Sequence, residues 1–191
     1  MRTMEEILKD VCSYLNSKGI DYVLIGGIAV IAYGNPRTTV DIDIIIQLEK
    51  EDIKEFAEFL KSEGFFSDPH DLKKALDEKS HFTAEMKDTL FRIDLKGVYS
   101  KNDRRTMNNR KKIEFEGIPM FIASPEDTIA HKLLYGSEQD INDAEGIYIR
   151  QLKRLNISYL KKICKEMNVE EDLDKMQKKL NDVLNEMGED T

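Results

Sequence analysis

Apolar residues recur along the first two thirds of the chain in changing periods, and each change of period marks an element. Met4, Ile7, Leu8, Val11, Cys12 and Leu15 keep a helical rhythm, which predicts an amphipathic helix over residues 4–17 ended by Lys18-Gly19. Tyr22-Val23-Leu24-Ile25 is a short continuous apolar run, so it reads as a buried strand stopped by Gly26-Gly27. A short helix over 28–33 and a Gly34-Asn35-Pro36 turn follow. Residues 38–47 are rich in β-branched side chains and predict a second strand. Ile53, Phe56, Ala57 and Leu60 define a helix closed by Gly64, and Pro69 opens another through Lys79. Residues 81–86 and 90–95 read as two strands joined by Lys87-Asp88-Thr89, and 112–123 as a hairpin turning at Glu116-Gly117.

After Ala123 the strand signals stop. Ser124-Pro125-Glu126-Asp127 combines a cap, a proline at the first helical position and early acids, which opens a helix. Three more helices are expected, the last marked by Leu173, Met176, Leu180, Val183 and Met187. The fold expected is therefore α/β. A small mixed sheet flanked by helices occupies residues 1–123, and a helical part occupies 124–191, with no flexible linker between them.

Composition narrows the function classes. A formal net charge of -8 is not the basic footprint of a duplex nucleic-acid binder. It leaves room for nucleotide binding through a divalent cation, which then becomes the largest local charge. Cys12 and Cys164 each sit on an apolar helical stripe and read as small buried hydrophobes; without neighbouring His or Cys they make no zinc site. The first residues alternate charge and apolar positions rather than forming a leader, and no run reaches the ~20 apolar residues of a membrane span. A cytoplasmic protein without membrane contact is expected.

The chemistry concentrates in residues 26–45, GGIAVIAYGNPRTTVDIDII. Gly26-Gly27 lies between a strand and a helix, where missing Cβ atoms let a phosphate approach unpaired helix N–H groups. Asp41 and Asp43 share one strand face, while Ile42, Ile44 and Ile46 share the other. Two carboxylates side by side repel unless a hard divalent cation neutralises them. An acidic solvated edge strand is the plain alternative, but it leaves unexplained why acids interrupt so apolar a run. Asp94 is the third candidate, being the acid within the apolar strand Phe91-Arg92-Ile93-Asp94-Leu95; Glu85 on the preceding strand is its rival.

A strand, Gly-Gly, a helix and Asp-hydrophobic-Asp on the next strand resembles the signature of the polymerase-beta-like nucleotidyltransferase superfamily. Arg37-Thr38-Thr39-Val40-Asp41-Ile42-Asp43 is especially similar to the minimal nucleotidyltransferases, which include toxin halves of type IV toxin–antitoxin pairs. Residues 124–147, SPEDTIAHKLLYGSEQDINDAEGI, look like a second block of those enzymes, whose lysine and Asp-x-x-Asp pair correspond to Lys132, Asp140 and Asp143. That block often has an arginine where this chain has Gln139.

The resemblance implies that Asp41, Asp43 and Asp94 hold two magnesium ions, with manganese as a substitute. Gly26, Gly27, Arg37 and Lys132 would bind the nucleotide. The implied reaction moves a nucleoside monophosphate from an NTP to a hydroxyl on an RNA end (tRNA being one candidate), a protein or a small molecule. The contrasting expectation is a catalytically inactive antitoxin or regulator of the same fold. Two basic clusters, Arg104-Arg105 with Arg110-Lys111-Lys112 and Arg150 through Lys165, either track an RNA backbone or are solvated surface.

Overall fold

The computed structural model describes residues 2–34 and 36–189, with side chains of the last helix described as far as residue 182. Asn35 and the side chains of Val183 and Met187 lie outside the described residues. The chain divides into two compact units. One comprises Met1–Ala29 and Arg37–Ala123; the other comprises Val30–Pro36 and Ser124–Thr191. The division falls inside a helix, so residues from Val30 onward in that helix group with the C-terminal segment.

The first unit opens with α1 (Met4–Lys18), fixed at its start by a Thr3–Glu6 capping box and at its end by Gly19 in the left-handed conformation. It continues with β1 (Asp21–Leu24), the start of α2 (Gly26–Tyr33), β2 (Asp41–Gln47), α3 (Ile53–Ser62), α4 (Pro69–Asp77), β3 (Phe82–Glu85) and β4 (Arg92–Gly97). It ends with α5 (Lys101–Asn108), β5 (Lys111–Phe115) and β6 (Ile118–Ile122). Among the described residues the strands form one six-stranded sheet in the order β3-β4-β2-β1-β6-β5. The β1–β2, β3–β4 and β5–β6 pairs are antiparallel; β2–β4 and β1–β6 are parallel. The mixed sheet expected from the sequence is thus present.

The two sheet faces are used differently. Ile42, Ile44, Ile46, Ile93 and Leu95 point inward and are essentially inaccessible. Helices α1 and α4 pack on strands of the sheet, and α3 joins α1 through Tyr14 stacked on Phe59 at 4.0 Å between ring centres. On the opposite face, α5 covers part of the sheet: its Met107 packs with Val23, Ile45 and Ala123. Cys12, on the inner side of α1, is fully buried, and burial pushes its thiol up to about 11, in keeping with an inert hydrophobe.

Three local expectations change. α2 starts at Gly26 rather than Ile28, so both glycines belong to its first turn. β2 starts at Asp41 rather than Thr38, because the Thr39 hydroxyl bonds locally to the Asp41 N–H (3.3 Å) and carbonyl (3.2 Å). The segment holding Arg104 and Arg105, where the sequence pattern marks no element, is the helix α5, fixed by a Ser100–Asp103 capping box.

The second unit is helical beyond α2: α6 (Pro125–Tyr135), α7 (Glu138–Gln151), α8 (Ile157–Glu166) and α9 (Glu170–Glu189). Ser124, Ser137 and Asn156 cap the first three through side-chain oxygens. Val30, Ile129, Leu133, Ile147, Ile163, Cys164 and Leu173 belong to one buried cluster. No described helix is long and apolar enough to cross a membrane.

Candidate active site

The half of the second sheet face that α5 leaves uncovered carries a grid of polar side chains, set by strand register. Asp43 on β2 is aligned with Asp94 on β4, which is aligned with Thr83 on β3. One row along, Asp41 is aligned with Arg92, and Arg92 with Glu85. Side chains aligned across neighbouring strands share a face about 5 Å apart. Asp41, Asp43 and Asp94 therefore stand together, with Glu85 next to Arg92 on the edge strand. The next row inward, Lys96 beside Ile45, is closed off: Lys96 pairs at 2.7 Å with Asp103 of α5.

Arg92 lies over the acids. Its Nε is 2.8 Å from Asp41 Oδ1 and donates to Asp94 Oδ2 at 3.2 Å, and its Nη2 donates to Asp41 Oδ2 at 3.0 Å. Asp41 and then Asp94 push the guanidinium still further above its ordinary pKa. Asp94 Oδ1 accepts the Thr83 hydroxyl. Asp41 Oδ1 is buried, and its contact with Nε lacks hydrogen-bond alignment, so among the described residues this oxygen has no hydrogen-bond partner.

Gly26 is required where it stands. Its φ is +57°, and a Cβ there would lie 2.0 Å from Asp43 Oδ2. The Asp43 carboxylate thus rests directly on the backbone that opens α2. At Gly27 a Cβ would come 2.7 Å from the Thr39 hydroxyl. Arg37 is half-buried on the segment entering β2 and engaged with neighbouring groups. Asp41, Asp43, Asp94 and Gly26 are brought together by these contacts, with Gly27 the next residue of the same turn.

Lys132 belongs to the second unit and sits in a different setting. It is buried on α6, with Nζ 2.7 Å from Asp140 and 3.0 Å from Asp143 on α7. Burial alone would raise the Asp140 carboxyl, but Lys132 and the Ser137 hydroxyl and N–H outweigh it and hold the group below the usual carboxylate range.

The pattern left Arg92 and Asp94 on one strand face, so the signal for Arg92 was present although no role followed from it. Nothing in the sequence marked Thr83. Among the described residues, one group of three metal-capable side chains has its ligand atoms within 4.8 Å of one another: Asp68, His70 and Asp71. All three are exposed at the start of α4, where Asp68 caps the helix by accepting the His70 and Asp71 N–H groups.

Comparison with known proteins agrees with this architecture. The fold is similar to that of a nucleotidyltransferase-like antigen from Paracoccidioides brasiliensis (TM-score 0.54, 17% identity, 91% of each chain). It is similar to ANT(2'')-Ia, solved with adenylyl-2''-tobramycin (TM-score 0.60, 11% identity, 87% of this chain and 98% of that one). It is also similar to the lincosamide adenylyltransferase LnuA, solved with lincomycin (TM-score 0.53, 15% identity, 76% and 96%). A search of the curated proteins found no match. Residues 2–187 match the profile of a nucleotidyltransferase family of unknown function, DUF6036; the chain belongs to that family and is a nucleotidyltransferase.

Proposed function

We propose that the chain moves a nucleoside monophosphate from an NTP to a hydroxyl acceptor, at the open half of the sheet face bearing Asp41, Asp43 and Asp94. The observation that carries this reading is the register of Asp43 with Asp94, with Asp41 in the adjoining row. In the reaction the acceptor oxygen forms a bond to the α-phosphorus, the bond to the β-bridging oxygen breaks, and pyrophosphate leaves.

The residues fit divalent cations. The donors are all carboxylate oxygens, which suit hard ions, and the buried Asp41 Oδ1 lacks a hydrogen-bond partner among the described residues. Asp41, Asp43 and Asp94 would hold magnesium, or manganese in its place, which when bound activates the acceptor oxygen and neutralises charge on the triphosphate. The chain's own part is positioning. The Gly26-Gly27 turn carries no side chain, so the triphosphate can approach the N–H groups at the start of α2. Asp43, seated on Gly26, ties that turn to the acid row. Arg37 and Lys132 are the proposed phosphate contacts. Lys132 itself is held by Asp140 and Asp143 within its own unit. In this reading catalysis resides in residues 1–123.

One fold neighbour is named as a lincosamide antibiotic adenylyltransferase and another was solved with adenylyl-2''-tobramycin, which supports a small hydroxyl compound as one acceptor class. An RNA end such as tRNA is another, with the basic residues near α5 as its contacts. Arg110 is already held by Asp21 and lies over the Phe121 ring, so Lys111 and Lys112 on β5 are the cleaner residues to reverse. The test supplies each NTP, labelled at the α-phosphorus, with magnesium and in turn tRNA, cell protein or aminoglycosides. Label in one class identifies the acceptor. No label with any NTP leaves a nucleotide-binding regulator or antitoxin of a cytoplasmic pair in place of the enzyme.

A further inference from the structure

We propose that Arg92 is a resident counter-ion that holds the carboxylate site closed until a divalent cation displaces it. The inference rests on the reading of Asp41 and Asp94 as cation ligands. The two acids come from different strands, and one guanidinium spans both: Nε reaches an oxygen of each, and Nη2 reaches the second oxygen of Asp41. These oxygens are the ones a metal would use, and two cations cannot share the same lone pairs.

The charge pattern supports a lock over a fixed strut. Four acids, Asp41, Asp43, Asp94 and Glu85, face this grid, and among the described residues in their two rows Arg92 is the cation, Lys96 in the next row being taken by Asp103. Without it, Asp41 and Asp94 would lose their counter-ion. Yet Arg92 is no part of the core: its side chain is 47% exposed, so release into solvent demands no repacking. A buried strut, such as Lys132 at 11%, lacks that freedom. Asp94 keeps its orientation when Arg92 leaves, because Thr83 holds the other oxygen.

The direction of the effect separates a lock from a positioning residue. If Arg92 merely oriented Asp41 and Asp94, removing it would weaken cation binding. A lock predicts the opposite, because the apparent dissociation constant is the intrinsic one divided by the fraction of molecules with an open site. The experiment measures Mn2+ binding to the full chain without nucleotide, from the paramagnetic resonance signal of free Mn2+, for wild type, Arg92→Gln, Arg92→Lys and Asp94→Asn.

The expected result is binding about fivefold tighter in Arg92→Gln than in wild type, the scale of one partly exposed ion pair, with Arg92→Lys between the two. In parallel, Arg92→Gln should melt lower than wild type in chelator and gain more from added Mn2+. Equal or weaker Mn2+ binding by Arg92→Gln, with binding still lost in Asp94→Asn, overturns the lock alone. Mn2+ binding that survives in Asp94→Asn removes the metal reading as well.

Discussion

Two clusters in this molecule set one cation between two aspartates, and they differ in what surrounds them. Arg92 with Asp41 and Asp94 lies on an open sheet face, with side chains 47%, 27% and 22% exposed. Lys132 with Asp140 and Asp143 is packed between α6 and α7, at 11%, 17% and 8%. In water a cation can exchange for another, so the first arrangement suits a site that loads and unloads. In the second, loss of the cation strands two carboxylates away from solvent, so the arrangement is also part of what holds α6 to α7. The same residue chemistry thus serves exchange in one place and cohesion in the other, and burial decides which.

That contrast can be broken in several ways. The largest effect expected is on activity: Asp43→Asn or Asp94→Asn should lower nucleotidyl transfer by ~10²-fold or more, the scale of losing a group that neutralises transition-state charge. The melting temperature of Asp43→Asn should stay unchanged or rise, since a repulsive neighbour is gone; a marked fall would make Asp43 structural. Lys132→Met should cost about 3 kcal/mol in urea unfolding, as breaking a buried pair does. If it costs no more than Arg92→Gln, the distinction drawn from burial fails.

Gly26→Ala should cost about 2 kcal/mol and weaken NTP binding, because it forces alanine into a left-handed conformation and displaces the Asp43 carboxylate. Undiminished NTP affinity in the folded variant would remove the phosphate role of this turn. A pH titration reads two of the paired carboxylates. Asp103 would be raised by burial, but Lys96 and Ser100 outweigh this and hold its carboxyl below the usual range; Asp140 is also lowered. Their folded pKa values lie below the unfolded value of about 4. The stability they contribute is therefore present above about pH 4 and lost as pH falls through the lower folded values. Lys96→Met should flatten that acid slope. The smallest effect is on the open cluster: Arg92→Gln should change stability by only about 1 kcal/mol in chelator, the upper end for exposed pairs.

Much of this was legible in the sequence because it rests on short-range rules. The alternation of Asp41, Ile42, Asp43 and Ile44 fixed which side chains share a face, and strand pairing kept them there. The caps at Ser124 and Ser137 are local as well. What the sequence did not yield depends on register between distant segments. Thr83 meets Asp94 only because β3 pairs with β4 in one alignment. The bridging by Arg92 needs β2 beside β4, a parallel pairing across a long stretch of chain. α5 was missed because Met107 is its single apolar side chain, so no apolar stripe marks it; the Ser100-to-Asp103 spacing was the available signal. The commitment of Lys132 to two acids on the next helix is likewise a tertiary fact.

The central claim is tested most directly by following two labels on one NTP with magnesium and cell extract. Phosphorus labelled at the α-position should pass to an acceptor, and label at the γ-position should appear only in pyrophosphate, both events disappearing in Asp43→Asn and Asp94→Asn. Transfer of the γ-label instead, or transfer of the α-label that persists in Asp94→Asn, would contradict the account.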